Sequence, residues 1–182
     1  MYRGLKKLEL TAMRRSLDYW GAFELSKEFD FIIRQGERND LFAVTPEVKY
    51  YVIGREPEPV LAGLYMGTMG KKALVLSMEG AYLVARVSDK KKVMVTGQAE
   101  SLVLYGRDVF GTSITWADES IQQNERVIIA NKYGEAIGIG RARFDYKGLF
   151  QDKVTVNAEA DMGLYIRGQQ DVAGGRTVPN FL

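Results

Sequence analysis

Arg141, Arg143, Lys147 and Lys153 fall within about a dozen positions of one another, with Tyr146 and Phe150 between them. Arg141 and Arg143 share a parity, so in a continuous strand both side chains leave by one face. Cations on one face with rings between them suit a single-stranded RNA groove, where the charges track phosphates and the rings stack bases. Asp145 and Asp152 interrupt the run. Solvated strand charges, with Tyr146 and Phe150 in the core, account for the same pattern equally well. Lys90, Lys91, Lys92 and Arg107 could flank the surface. Tyr105 is expected to pack rather than to stack on RNA.

Other chemistry is scarce. The 182 residues include no cysteine and no histidine. Disulfides, thiolate–zinc sites, Cys/His nucleophiles and Ser-His-Asp triads are therefore excluded. The run Gly67-Thr68-Met69-Gly70-Lys71-Lys72 invites a phosphate-loop reading and fails it twice. The first glycine of that loop would fall at Tyr65, and Lys72 stands where a hydroxyl should bind magnesium. Gly134 to Gly140 has spaced glycines but no following helix to aim amides at a phosphate. Asp118 and Glu119 are adjacent and do not converge as an acid/base pair, and Glu100 reads as a helix-end charge. No catalytic group, cofactor or metal is expected. The net charge of +2 announces no polycation, so a basic site must come from local clustering. No run of 18 apolar residues and no apolar leader is seen, which leads to the expectation of a soluble, cytoplasmic protein (nucleolar in a eukaryote).

The elements that must hold these residues are organised around Val93 to Ile114. A β-rich run, Val93–Thr96, meets Gly97. A short helix, Ala99–Leu104, stops at Tyr105-Gly106, where glycine takes positive φ at no Cβ penalty. A second β-rich run spans Val109–Ile114. Arg126–Ala130 and Ala136–Ala142 read as strands about a polar turn, Asn131–Glu135, with Gly138 and Gly140 marking bulges or close approaches. Strand, short helix and strands of this kind make a small mixed barrel.

The earlier chain reads as α+β. Thr11–Trp20 carries Met13, Leu17 and Trp20 on one helical stripe, with Thr11 a possible cap, Gly21 the stop and Arg14 and Arg15 on a solvated face. Phe29–Ile33, Leu41–Thr45 and Lys49–Ile53 suggest an antiparallel meander. Pro59 could open a helix running to about Met66. Leu74–Met78 reads as a strand, and Gly80–Val87 as helix or strand. The charged run Ser88–Lys92 marks the boundary. The expected division is residues 1–88, an antiparallel sheet with packed helices; 91–168, a mixed barrel; and 169–182, a flexible tail.

GQAESLVLYGRDV and the hairpin RVIIANKYGEAIGIGRA resemble the PUA domain, an RNA-binding barrel. With YYVIG, MGTMGK and the ending ADMGLYIRG (Ala160 to Gly168), the chain resembles the Nip-seven family of ribosome biogenesis factors over roughly residues 5–168. That resemblance implies a non-enzymatic factor of the large ribosomal subunit, acting in pre-rRNA processing. It implies RNA at the PUA domain and, at the N-terminal domain, protein partners: other biogenesis factors and, in archaea, the exosome. Archaeal members carry basic residues on the PUA surface; Arg141, Arg143, Lys147 and Lys153 occupy that segment here. Two other readings stay open: an RNA-modifying enzyme whose PUA domain holds the substrate, and a protein-only adaptor.

Overall fold

A computed structural model describes residues 1–163 and Tyr165. The chain divides into two compact units, Met1–Lys90 and Lys91 onward. The expected tail at 169–182 and most of the Leu164–Gly168 end of the last motif lie outside the described residues.

The first unit opens with β1 (Tyr2–Gly4) and α1 (Lys7–Tyr19). The helix begins before Thr11. Glu9 accepts from the Lys6 backbone N–H at 2.8 Å and closes the first turn, while the Thr11 hydroxyl donates back to the Lys7 carbonyl inside the helix. Ala12, Met13, Ser16 and Leu17 form the buried stripe. Gly21 ends it at φ +68°, a left-handed conformation that glycine adopts without strain. A single turn, α2 (Leu25–Glu28), leads into β2 (Asp30–Gln35) and β3 (Asn39–Val44).

Two expectations fail next, for local reasons. Lys49–Ile53 is no strand; it belongs to α3 (Pro46–Val52). Thr45 caps that helix and Pro46 fills its first position, and together they outweigh the β-branched and aromatic content. No helix follows Pro59. Residues 64–69 form β4 (Leu64–Met69) instead, paired antiparallel with β3, because tertiary pairing overrides the local proline signal. β5 (Leu74–Leu76) precedes α4 (Met78–Val87), which settles Gly80–Val87 as helix; the Ser77 hydroxyl accepts from Gly80 N–H at 3.0 Å to cap it. The sheet order is β1-β2-β3-β4-β5, antiparallel throughout.

The second unit runs β6 (Lys92–Val95), α5 (Gln98–Leu104), β7 (Val109–Phe110), β8 (Ile114–Ala117), β9 (Arg126–Ala130), β10 (Ala136–Ala142) and β11 (Val154–Asp161). α5 ends in a Schellman arrangement. Gly106 N–H donates to the Val103 carbonyl at 2.8 Å and Arg107 N–H to the Leu102 carbonyl at 3.0 Å, with Gly106 at φ +71°. The run Val109–Ile114 is not one strand. A 3₁₀ turn at Gly111–Ser113 divides it into β7 and the start of β8. A Cβ at Gly111 would collide with the carbonyls of Leu149 and Gln151, so only glycine permits this corner.

The sheet order is β7-β11-β10-β9-β6-β8, with β6 parallel to β9 and the other pairs antiparallel. Its two outermost strands are consecutive in the chain, so the sheet rolls into a nearly closed mixed barrel. Val93, Val95, Val103, Val127, Ile129, Leu149 and Val156 fill the interior. Register shifts fall beside Gly138 and Gly140, as the glycines in that strand suggested. Among the described residues, no helix is long and apolar enough to cross a membrane.

Candidate nucleic-acid interface

The basic run occupies the end of β10 and the loop that joins it to β11. Arg141 lies on β10 beside Arg126 of β9 and Asn157 of β11. Glu159 takes both guanidiniums, each Nε standing 2.8 Å from one of its carboxylate oxygens. Arg141 Nη1 also donates to the Asn124 carbonyl at 2.8 Å. Its charge is thus half spent on the sheet's own surface.

Beyond Arg141 the cations are freer. Arg143 anchors its backbone by donating to the Thr155 carbonyl at 2.8 Å, and its side chain is exposed. Lys147 sits exposed in a 3₁₀ turn, Tyr146–Gly148. The Asp145 side chain caps that turn through Gly148 N–H at 3.2 Å, so this aspartate, which interrupts the basic run in sequence, has a structural task. The Lys153 ammonium stands 4.1 Å from the centre of the Phe144 ring, a cation–π contact. Among the described residues no carboxylate pairs with Arg143, Lys147 or Lys153. Tyr146 packs against the barrel core and meets Phe150 edge-on at 5.5 Å; Phe150 stays 41% exposed. One of the two interleaved rings is therefore available to a ligand.

The remaining candidates separate from this loop. Arg107 is exposed, but Asp108 accepts from Ala158 N–H at 2.8 Å, whereas Lys153 lies by Gly111, toward the other end of β11. Lys91 and Lys92 do not flank the surface at all. Lys91 is 5% exposed and Lys92 2%. Lys91 Nζ donates to the Ser120 carbonyl and to Glu125, each at 2.6 Å. A burial of this kind requires a paired ammonium, and the pair leaves nothing to offer a phosphate. Its backbone N–H donates to Asp118 at 2.8 Å. Burial pushes the Asp118 carboxyl up, but the Lys91 N–H, the Ser120 hydroxyl and N–H and the Lys91 charge together hold it below the usual aspartate range. Tyr105 is corrected in the opposite direction: it stands at the end of α5, 69% exposed.

Sequence reasoning missed Glu159 and Arg126, whose pairing needs three strands side by side. It also missed Lys132 and Tyr133 at the β9–β10 tip, where an aromatic inside a short polar turn was the available signal. The Gly67–Lys72 run forms a β-hairpin, with Gly70 N–H donating to Ala73, and leads into β5 rather than a helix. No helix N-terminus faces a phosphate there. Among the described residues no cluster of carboxylates could hold a metal ion.

A UPF0113 protein of Archaeoglobus fulgidus is 34% identical over 165 residues, covering 89% of this chain and 92% of its own length. The chain belongs to the UPF0113 family. The model of the UPF0113 PUA domain matches residues 91–170, so the barrel of this UPF0113 protein is a PUA domain. Two solved structures share the fold of this UPF0113 protein. A hypothetical protein of Pyrococcus horikoshii superposes with a TM-score of 0.64 at 16% identity, covering 93% of this chain and 96% of its own. A conserved PUA domain protein of Thermoplasma acidophilum gives 0.61 at 16%, covering 90% and 95%.

Proposed function

We propose that this UPF0113 protein holds single-stranded RNA on the 143–153 loop of its PUA domain. In this reading it serves, without catalysis, in large-subunit assembly and pre-rRNA processing, as the resemblance to the Nip-seven family implies. The first unit would meet protein partners, other assembly factors or the exosome, in the cytoplasm. One observation carries the reading: Arg143, Lys147 and Lys153 are exposed on one loop that also carries the half-open Phe150, and among the described residues no carboxylate pairs with them. Three phosphate contacts to a single strand give a log–log salt slope of about −2.

The test is a salt titration of RNA binding by the full chain, by an Arg143→Ala/Lys147→Ala/Lys153→Ala variant and by Glu159→Gln. The triple variant should lose most of the affinity and the slope. Glu159→Gln should steepen the slope by up to about one unit, because it releases Arg141 and Arg126. Equal affinity and slope in all three proteins would remove the RNA site from this loop.

A further inference from the structure

The turn between β9 and β10 is braced more heavily than a five-residue connection requires. Asn131 Oδ1 accepts from Tyr133 N–H at 2.9 Å and from Glu135 N–H at 3.0 Å, while Asn131 Nδ2 donates to the Glu135 carboxylate at 2.8 Å. Gly134 N–H donates to the Asn131 carbonyl at 3.0 Å, and Asn131 N–H to the Glu135 carbonyl at 2.9 Å. Glu100 of α5 reaches over to accept from Lys132 N–H at 3.3 Å. Gly134, at φ +81°, allows the chain to close.

All of these bonds except the Asn131–Glu135 side-chain pair fix backbone, and the Tyr133 side chain carried on that backbone is turned to solvent. Tyr133 is 75% exposed and belongs to neither core. The Lys132 ammonium lies 4.9 Å from its ring centre, a cation–π contact that leaves most of the ring uncovered. Asn131, Lys132, Gly134 and Glu135 are all polar or lack a side chain, so the Tyr133 ring is the apolar area of the turn, too little by itself for the dry centre of a protein interface. The Glu135 carboxylate is engaged by the turn and Glu100 by Lys132 N–H. What remains is one flat ring on a fixed mount with a cation at its side. A nucleobase fits those features: its face stacks on the ring, and stacking is tolerant of base identity.

We propose that Tyr133 is a stacking platform for one base of single-stranded RNA, with Lys132 beside it as the neutralising charge. The proposal rests on the RNA reading above and places a second contact far from the first. The 143–153 loop leaves the other end of β10, whose seven residues span about 23 Å. A strand engaging both contacts would run along the barrel wall.

Binding of a fluorescent oligo(A) of about twelve nucleotides is to be measured by anisotropy. The proteins are the full chain, Tyr133→Ala, Tyr133→Phe and the triple loop variant, each first checked by thermal melting. Tyr133→Ala should weaken binding about 5- to 150-fold with the salt slope unchanged, since stacking releases no counterion. Tyr133→Phe should bind like the native chain. Native-like binding by Tyr133→Ala, with the triple variant impaired, would overturn the platform and leave the loop site standing. An equal loss in Phe and Ala would overturn stacking in favour of a hydroxyl contact. No binding by the native chain at low salt would overturn both readings together.

Discussion

Lys91→Met is the sharpest test of how charge is distributed in this molecule. Methionine keeps the unbranched stem and cannot donate. The substitution leaves the Glu125 carboxylate and the Ser120 carbonyl without the ammonium that now bonds both at 2.6 Å. Removing one partner of a fully buried pair costs about 3–5 kcal/mol. Here the lysine side chain is 7% exposed but the glutamate 25%, so water can recover part of the loss, and Gln122 N–H still donates to Glu125 at 2.8 Å. About 2 kcal/mol is the cost that remains after this discount. With an m-value of about 2 kcal/mol/M, the urea midpoint of the second unit should fall by about 1 M. Glu125→Gln and the double variant complete a cycle in which the two losses should add to more than the double shows. RNA affinity of the folded variant should equal that of the native chain. A variant of native stability that binds RNA less well would refute the reasoning, because it would return Lys91 to the RNA surface.

The glycines of β10 and the carboxylate of Asp118 supply two further outcomes. In β10, a Cβ at Gly140 would lie 2.6 Å from Val156 Cγ1 and 2.7 Å from the Asn157 carbonyl, whereas at Gly138 the nearest atoms are 3.0 and 3.1 Å away. Gly140→Ala should therefore cost about 1–3 kcal/mol, and Gly138→Ala clearly less, since a smaller clash is partly offset by the stiffer unfolded chain; equal melting points would contradict this. The folded Asp118 carboxyl binds its proton less readily than the unfolded one, so the unfolded chain takes up more protons between the two titrations. Its contribution is whole above the ordinary aspartate range and is lost as pH falls through the lowered folded value. Asp118→Asn should flatten acid unfolding over that window, and an unchanged slope would show that the carboxylate carries none of it.

The sequence made local features legible and pairings obscure. β9, β10, the α5 stop at Gly106 and the boundary near Lys90 all announce themselves through glycine placement, alternation or a charge run. α3 was misread because Tyr50, Tyr51 and Val52 look β-like, while the Thr45-Pro46 start decides for helix. The division of Val109–Ile114 depends on Gly111 pressing against the loop before β11, some forty positions away, which no window of sequence contains. The same limit governs the site. Three consecutive lysines read as a charged boundary run that could flank an RNA surface, yet Lys91 is buried and paired with a glutamate 34 residues on. Arg141 reads as free, yet Glu159, 18 residues on, holds it. Arg143, Lys147 and Lys153 are exposed, as a local reading expects, on a loop that carries its own cap at Asp145.

The way both sheets end bears on solubility. The outermost strands are β1 and β5, three residues each, and β7 and β8, of two and four. An intruding strand finds at most a few backbone groups to pair with before the chain turns away. Longer edges template aggregation, and short ones deny the template. Edge-to-edge association is therefore opposed by the backbone alone, without hiding the exposed rings.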